Sequence, residues 1–108
     1  MHLLLQIDSE LEEDTMDKQR LLYVVLKEID KGNCSFTANS FDVSEEELHD
    51  IIGIAKQEGF IQNIYWADNI PHYEMAKITL SGLKYLDENS KWAKAYRIAK
   101  EVKDFIKL

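Results

Sequence analysis

Apolar and polar positions along the chain change from a helical period to a strand-like one and back. Leu21, Leu22, Val25 and Ile29 recur at helical spacing behind Asp17, a residue type that caps helix N-termini. Gly32-Asn33 ends that first helix near Lys31. Residues 33–42, NCSFTANSFD, are rich in turn formers, with Phe36 and Phe41 as anchors to the core and room for at most a turn or two of helix. Ser44-x-x-Glu47 is a capping box, and Leu48, Ile51, Ile52 and Ala55 follow at i, i+3, i+4 and i+7, the buried stripe of a second helix. Gly59 supplies a left-handed stop. FIQNIYW (60–66) and HYEMAKI (72–78) read as two strands, and ADNIP, with Asp68-Asn69 and Pro71, predicts a hairpin loop of about five residues between them. Thr79 caps a helix over LSGLKYLDEN that turns Leu83 and Leu86 inward with Tyr85 beside them. A last helix spans 91–108, with Trp92, Ala95, Ile98, Ala99, Val102 and Ile106 on one arc.

Residues 1–15, MHLLLQIDSELEEDT, stand apart as an N-terminal extension: an apolar turn or two, then acids. Its leucines predict an element packed on the domain or on a neighbour rather than a polar tail. Met16 is an alternative start, because the patterned domain begins there. The opening MHLLLQI has no Lys or Arg ahead of its apolar run and acids directly after it, which is not the pattern of a signal peptide. No apolar run approaches the ~20 residues of a membrane span. With 108 residues the chain is expected to be one domain, and a cytoplasmic one. Cys34 is the single cysteine, so it forms no intrachain disulfide; it reads as a small half-buried residue.

The order helix, short irregular piece, helix, hairpin, helix, helix predicts an α+β winged helix-turn-helix over 16–90, with a two- or three-stranded hairpin wing and an added C-terminal helix over 91–108. VSEEELHDIIGIAKQEGFI (43–61) resembles the winged-helix run in which a turn residue and Ser open the third helix and Gly-aromatic-Ile opens the wing. ITLSGLKYLDEN (78–89) resembles the segment that leaves the wing. Together with DKQRLLYVVLKEIDKGN (17–33) and KWAKAYRIAKEVKDFIKL (91–108), the chain looks like a member of the YjcQ-like family, small winged-helix proteins of Firmicutes and their phages or prophages. The resemblance covers 16–108. It implies a fold and brings no settled activity and no catalytic residues. Transcription regulation follows from fold analogy alone.

Charge complicates that analogy. The net charge is −7, and it is unevenly spread: residues 1–58 carry 14 acids against 5 bases, and residues 59–108 carry 6 against 8. With Leu48 inward, Glu46, His49, Asp50, Gly53 and Gln57 face outward, where a DNA-reading helix would enter the major groove. Arg, Lys, Asn and Gln are the usual base readers, whereas Glu and Asp accept only from cytosine N4. Glu45 and Glu47 flank this face with further carboxylates, although acids in a first turn also complement the helix dipole. The wing tip, Asp68 and Asn69, offers no Lys or Arg to a minor groove. The basic counterpart is the last helix, where Lys91, Lys94, Arg97, Lys100, Lys103 and Lys107 outnumber Glu101 and Asp104.

Tyr65, Trp66 and Tyr73 read as strand packing rather than a binding patch. His2, His49 and His72 have no metal-ligand spacing, and adjacent His49 and Asp50 diverge on a helix. The chain has no Gly-rich phosphate loop and no nucleophile–base signature. No enzyme activity, cofactor, metal or small-molecule substrate is expected. The expectation is a protein-contact module using Glu46, His49, Asp50, Gln57, Asp68 and Asn69, for a partner or a second copy. One variant of it is an inhibitor that fills a basic nucleic-acid groove on another protein. The alternative is a DNA-binding regulator whose dimer brings Lys91, Lys94, Arg97, Lys100 and Lys103 to phosphate.

Overall fold

The computed structural model describes residues 17–94, 96 and 97. They form an α+β unit of three α-helices, two short 3-10 turns, four short strands and the start of a last helix. Helix α1 (Lys18–Asp30) is capped by Asp17, whose carboxylate accepts the backbone N–H of Arg20 at 2.8 Å. It ends as expected: Gly32 takes φ 82, its N–H reaches Ile29 O and that of Asn33 reaches Glu28 O, the paired bonds of a Schellman stop. The sequence pattern assigned this helix one apolar face. The structure instead buries every residue from Leu21 to Leu26, together with Glu28 and Ile29. The reason is that α1 is central: α2 (Glu45–Gln57), α3 (Leu80–Glu88), strand β4 (Lys77–Ile78) and the 3-10 turn Ser90–Trp92 all pack against it.

The segment between α1 and α2 holds only the four-residue 3-10 turn Ala38–Phe41. Phe36 and Phe41 anchor it with ring centroids 5.3 Å apart, and Phe36 stacks on Tyr73 at 4.7 Å. Tyr73 also donates its hydroxyl to Phe36 O at 2.6 Å. Half-buried Cys34 donates its thiol to Ala76 O at 3.6 Å, and burial, then the charge of Glu28, pushes that thiol up in pKa.

The hairpin departs from the two continuous strands expected. It is two separate antiparallel ladders, β1 (Ile61–Gln62) with β4 and β2 (Tyr65–Ala67) with β3 (Ile70–His72). Between them lie residues 63–64 on one side and 73–76 on the other. Unequal numbers cannot hold a common register, and Asn63 bends the outgoing side at φ 67. The connection is also shorter than five residues. Ala67 pairs with Ile70, so only Asp68 and Asn69 turn, at φ 55 and 64, which is a type I′ geometry. Pro71 lies inside β3 opposite Trp66, in the pair that exchanges no hydrogen bonds, so its missing N–H costs nothing.

The hairpin base is locked to both flanking helices. Thr79 donates to Gly59 O at 2.6 Å and accepts from Gly82 N at 3.1 Å, so one hydroxyl ties the end of α2 to the start of α3. Leu86 is buried and Tyr85 packs on Phe60 with centroids 4.7 Å apart, but Leu83 is 41 % exposed rather than inward. The inward line of α3 runs through Gly82 and Leu86 instead, because Gly82 sits where a Cβ would collide with the Phe60 carbonyl oxygen and lie 2.6 Å from Ile78 Cγ1. Only a residue without a side chain lets the helix come this close.

The last helix starts at residue 93, after the 3-10 turn; of the basic candidates Lys91, Lys94 and Arg97 are exposed, while Lys100 and Lys103, like Ala95, Ile98, Ala99, Val102 and Ile106, lie outside the described residues. Its attachment is polar and aromatic. Tyr96 donates to Glu28 at 2.9 Å inside the core, Lys31 lies 5.2 Å from the Tyr96 ring centroid, and Arg20 lies 5.2 Å from that of Trp92. Glu28 is 2 % exposed and also accepts from Asn33 at 3.4 Å, so this buried carboxylate is satisfied by hydrogen bonds. Among the described residues no helix is long and apolar enough to cross a membrane.

Gly82→Ala is expected to cost about 2–3 kcal/mol in denaturant unfolding, as forced overpacking does, while exposed Ser81→Ala stays within about 0.5 kcal/mol. Burial, then the Glu28 hydrogen bond and charge, holds the Tyr96 hydroxyl well above its usual pKa of 10.0. The folded chain keeps a proton there that the unfolded chain releases, so this stabilisation is complete below pH 10 and is lost as pH rises beyond it. Tyr96→Phe should therefore lose about 1.5–3 kcal/mol at neutral pH, the range for a hydrogen bond to a charged group. Its stability should also fall less steeply above pH 10 than that of the parent chain.

Candidate functional site

Helix α2 begins where the sequence says it should. Ser44 Oγ accepts from Glu47 N–H at 3.1 Å, and the Glu47 carboxylate accepts from Ser44 N–H at 3.0 Å. Leu48, Ile51, Ile52 and Ala55 are buried against α1 and the 3-10 turn before it. Gly59, at φ 78, closes the far end with a second Schellman stop. With that stripe fixed, the opposite arc is presented outward: Glu46, Asp50 and Gln57 are exposed, and His49 and Gly53 are half-buried.

The half-burial of Gly53 comes from the hairpin. The type I′ turn at Asp68-Asn69 returns β3 onto α2 and lays Trp66 over the helix, with the indole Cη2 and Cζ2 at 3.7 and 3.9 Å from where a Gly53 Cβ would stand. A groove of about 410 Å³ results. His49, Asp50, Gly53, Ile54 and Gln57 line it from α2, Lys18 from the start of α1, and Trp66 and Asn69 from the hairpin.

The structure thus gathers four of the six acidic-face and wing candidates, His49, Asp50, Gln57 and Asn69, into one place. Glu46 lies on the same arc one turn before Asp50, and Asp68 is exposed at the hairpin tip; neither lines the groove. Exposed Lys91 lies 5.1 Å from the Trp92 ring centroid and belongs to the C-terminal attachment instead. Sequence reasoning missed Lys18, Ile54 and Trp66. Trp66 was assigned to strand packing with Tyr65 and Tyr73. Tyr73 is packed, and Tyr65, although 61 % exposed, stacks on His72 across the hairpin at 4.7 Å. Trp66 is 47 % exposed with its outer ring edge on Gly53. The available signal was Gly53 itself, a residue costing about 1 kcal/mol in a helix interior with no turn to justify it.

Glu45, Glu46 and Glu47 occupy the first turn of α2, where the helix dipole favours negative charge. Glu47 is engaged in the cap. Glu46 and Asp50 make no ion pair with any described residue, so their charge is presented to whatever approaches the arc. Among the described residues no group of three His, Cys, Asp or Glu side chains gathers as a metal site.

Comparison with known proteins agrees with this architecture. The family model described as YjcQ protein matches residues 6–105, and so takes in most of the N-terminal segment that the sequence reading set outside the resemblance. YjcQ of Bacillus subtilis strain 168 is 40 % identical over 94 residues, covering 85 % of this chain and all of the relative. The solution NMR structure of YjcQ from Bacillus subtilis superposes with a TM-score of 0.60 at 36 % identity, over 67 % of this chain and 95 % of the other.

The contact between helix and hairpin is testable at Gly53. A methyl group there meets the indole at ordinary van der Waals distance, so Gly53→Ala should stabilise the chain by about 0.5–1 kcal/mol through helix propensity. Gly53→Leu should displace the indole and shift Trp66 emission to the red, read in a Trp92→Phe background.

Proposed function

The chain belongs to the YjcQ protein family, and we propose that it is a non-enzymatic, cytoplasmic winged-helix module that works by protein contact through the outward arc of α2 and the hairpin wing. In this reading α1, the 3-10 turn Ala38–Phe41 and α2 correspond to the helix-turn-helix, and the split hairpin is the wing.

One observation carries the preference for protein over DNA. Trp66 lies on Gly53, the midpoint of the outward arc between Asp50 and Gln57. A base edge approaching the arc would meet the protein's own wing there, and carboxylates at Glu46 and Asp50 beside it. Phosphates border both edges of a major groove, and the binding energy of DNA complexes rests heavily on cations placed against them. What the arc does offer is interface chemistry. Trp66 is a half-exposed indole beside the carboxylate of Asp50, and aromatic residues of this kind are enriched in protein–protein contacts. Inhibition of a nucleic-acid-binding protein, with the acidic arc filling its basic groove, is one form of this activity. The exposed Lys91, Lys94 and Arg97 keep phosphate contact by a dimer's last helices as the competing reading.

A titration of fluorescent mixed-sequence duplex should show no binding at low or moderate salt. Micromolar binding with a salt slope of several units would instead assign the function to the basic C-terminal segment. On the protein side, Glu46→Lys with Asp50→Lys should abolish capture of the cellular partner while changing unfolding free energy by no more than about 1 kcal/mol, the cost of unfavourable charge near a helix N-terminus.

A further inference from the structure

The groove over Gly53 combines three features that suit one kind of side chain. Trp66 supplies an indole that is nearly half exposed. Asp50 supplies a carboxylate with no ion pair to any described residue. Gln57 and Asn69 supply amide oxygens from opposite walls, one on the helix and one on the hairpin tip. A guanidinium is planar, permanently charged, carries five N–H donors and accepts nothing. It stacks on aromatic faces and pairs with carboxylates through a fixed fork. An ammonium can sit over the ring as a point charge, but it cannot stack flat on it or pair with the carboxylate through a fork. An anion would meet Asp50, with Glu46 one helical turn away.

We propose that this groove receives an arginine side chain of a partner protein, its guanidinium against the Trp66 indole and hydrogen-bonded to Asp50. The proposal rests on the protein-contact reading and names the side chain that the contact takes. Charge complementarity argues for it: Lys18 also lines the groove and opposes a cation, but Asp50 stands against it inside the groove, and exposed Glu46, one helical turn before Asp50 on the same arc, adds a second carboxylate outside the lining. A nucleic acid has no such cation to offer, so the partner is a polypeptide.

The test is a two-dimensional amide NMR titration of the full chain with N-acetyl-arginine amide, the uncharged N-acetyl-citrulline amide and N-acetyl-lysine amide. The arginine compound should shift the Trp66 indole N–H and the Gly53 amide saturably. Citrulline should bind about tenfold more weakly, the loss expected when a charge-assisted hydrogen bond becomes neutral, and lysine should fall between. Asp50→Asn, at an exposed site, should weaken arginine about tenfold, and Trp66→Leu should remove the shifts while the other resonances stay in place. If Trp66→Leu does not fold, Asp50→Asn decides alone. Equal shifts with arginine and citrulline, shifts confined to residues away from the groove, or no saturable shift at tens of millimolar overturns the proposal. Partner capture that remains sensitive to Glu46→Lys with Asp50→Lys after such a result would leave the protein-contact reading standing, whereas duplex binding would remove that reading itself.

Discussion

The fold is built round a helix that has no free face for most of its length. Six consecutive residues of α1, Leu21 to Leu26, are buried, so the elements packed on it surround it rather than lie on one side. This arrangement determines where a polar group can be tolerated. Glu28 is carried into the core by the same helix, and a carboxylate there is costly unless hydrogen-bonded. Asn33 and Tyr96 meet that requirement, one from the turn that ends α1 and one from the last helix. The buried acid thus ties the last helix to α1 through the Tyr96 hydroxyl.

The site inherits its geometry from two glycines that do opposite things. Gly82 removes a side chain so that α3 can press against the Phe60 carbonyl and Ile78, and this close approach fixes the base of the hairpin. Gly53 lies beneath the Trp66 indole, where a small residue lets the hairpin's far end settle on the middle of α2. Between these two contacts the hairpin breaks its ladder, because residues 73–76 are drawn toward Phe36 by the Tyr73 ring and hydroxyl. Base and tip are thus held separately, and the hairpin leans over the outward arc of α2 instead of projecting beside it.

Much of this was legible in the sequence because its rules are local. The capping box at Ser44 and Glu47, the caps at Asp17 and Thr79, the stops at Gly32 and Gly59 and the stripe from Leu48 to Ala55 depend on neighbours within a turn or two. What was not legible depends on where distant segments meet. The total burial of α1 follows from several elements converging on it. Exposure of Leu83 follows from Gly82, not Leu83, being the residue that touches the hairpin base. The hairpin loop was drawn too long because Pro71 reads as a turn residue until its partner Trp66 is known to occupy a non-hydrogen-bonded pair. The outward arc was found from periodicity, yet Trp66 and Lys18 reach it from elements whose approach no helical period encodes.

The acids of α2 then separate by cause. Glu47 is accounted for by the cap it completes, and Glu45 and Glu46 gain from a dipole that decays within the first turn. Asp50 sits beyond that turn. It completes no cap, makes no ion pair with a described residue, and stands beside an indole that the hairpin leaves partly uncovered. Fold stability therefore gives no reason for a carboxylate at this position, and self-repulsion among four acids on one short stretch gives a reason against it. On the protein-contact proposal, an acid placed next to this partly exposed indole favours a cationic partner. A base-reading helix most often carries Arg, Lys, Asn or Gln at such a position, whereas a carboxylate there accepts only from cytosine N4, so Asp50 bears on this question more directly than the overall net charge of −7.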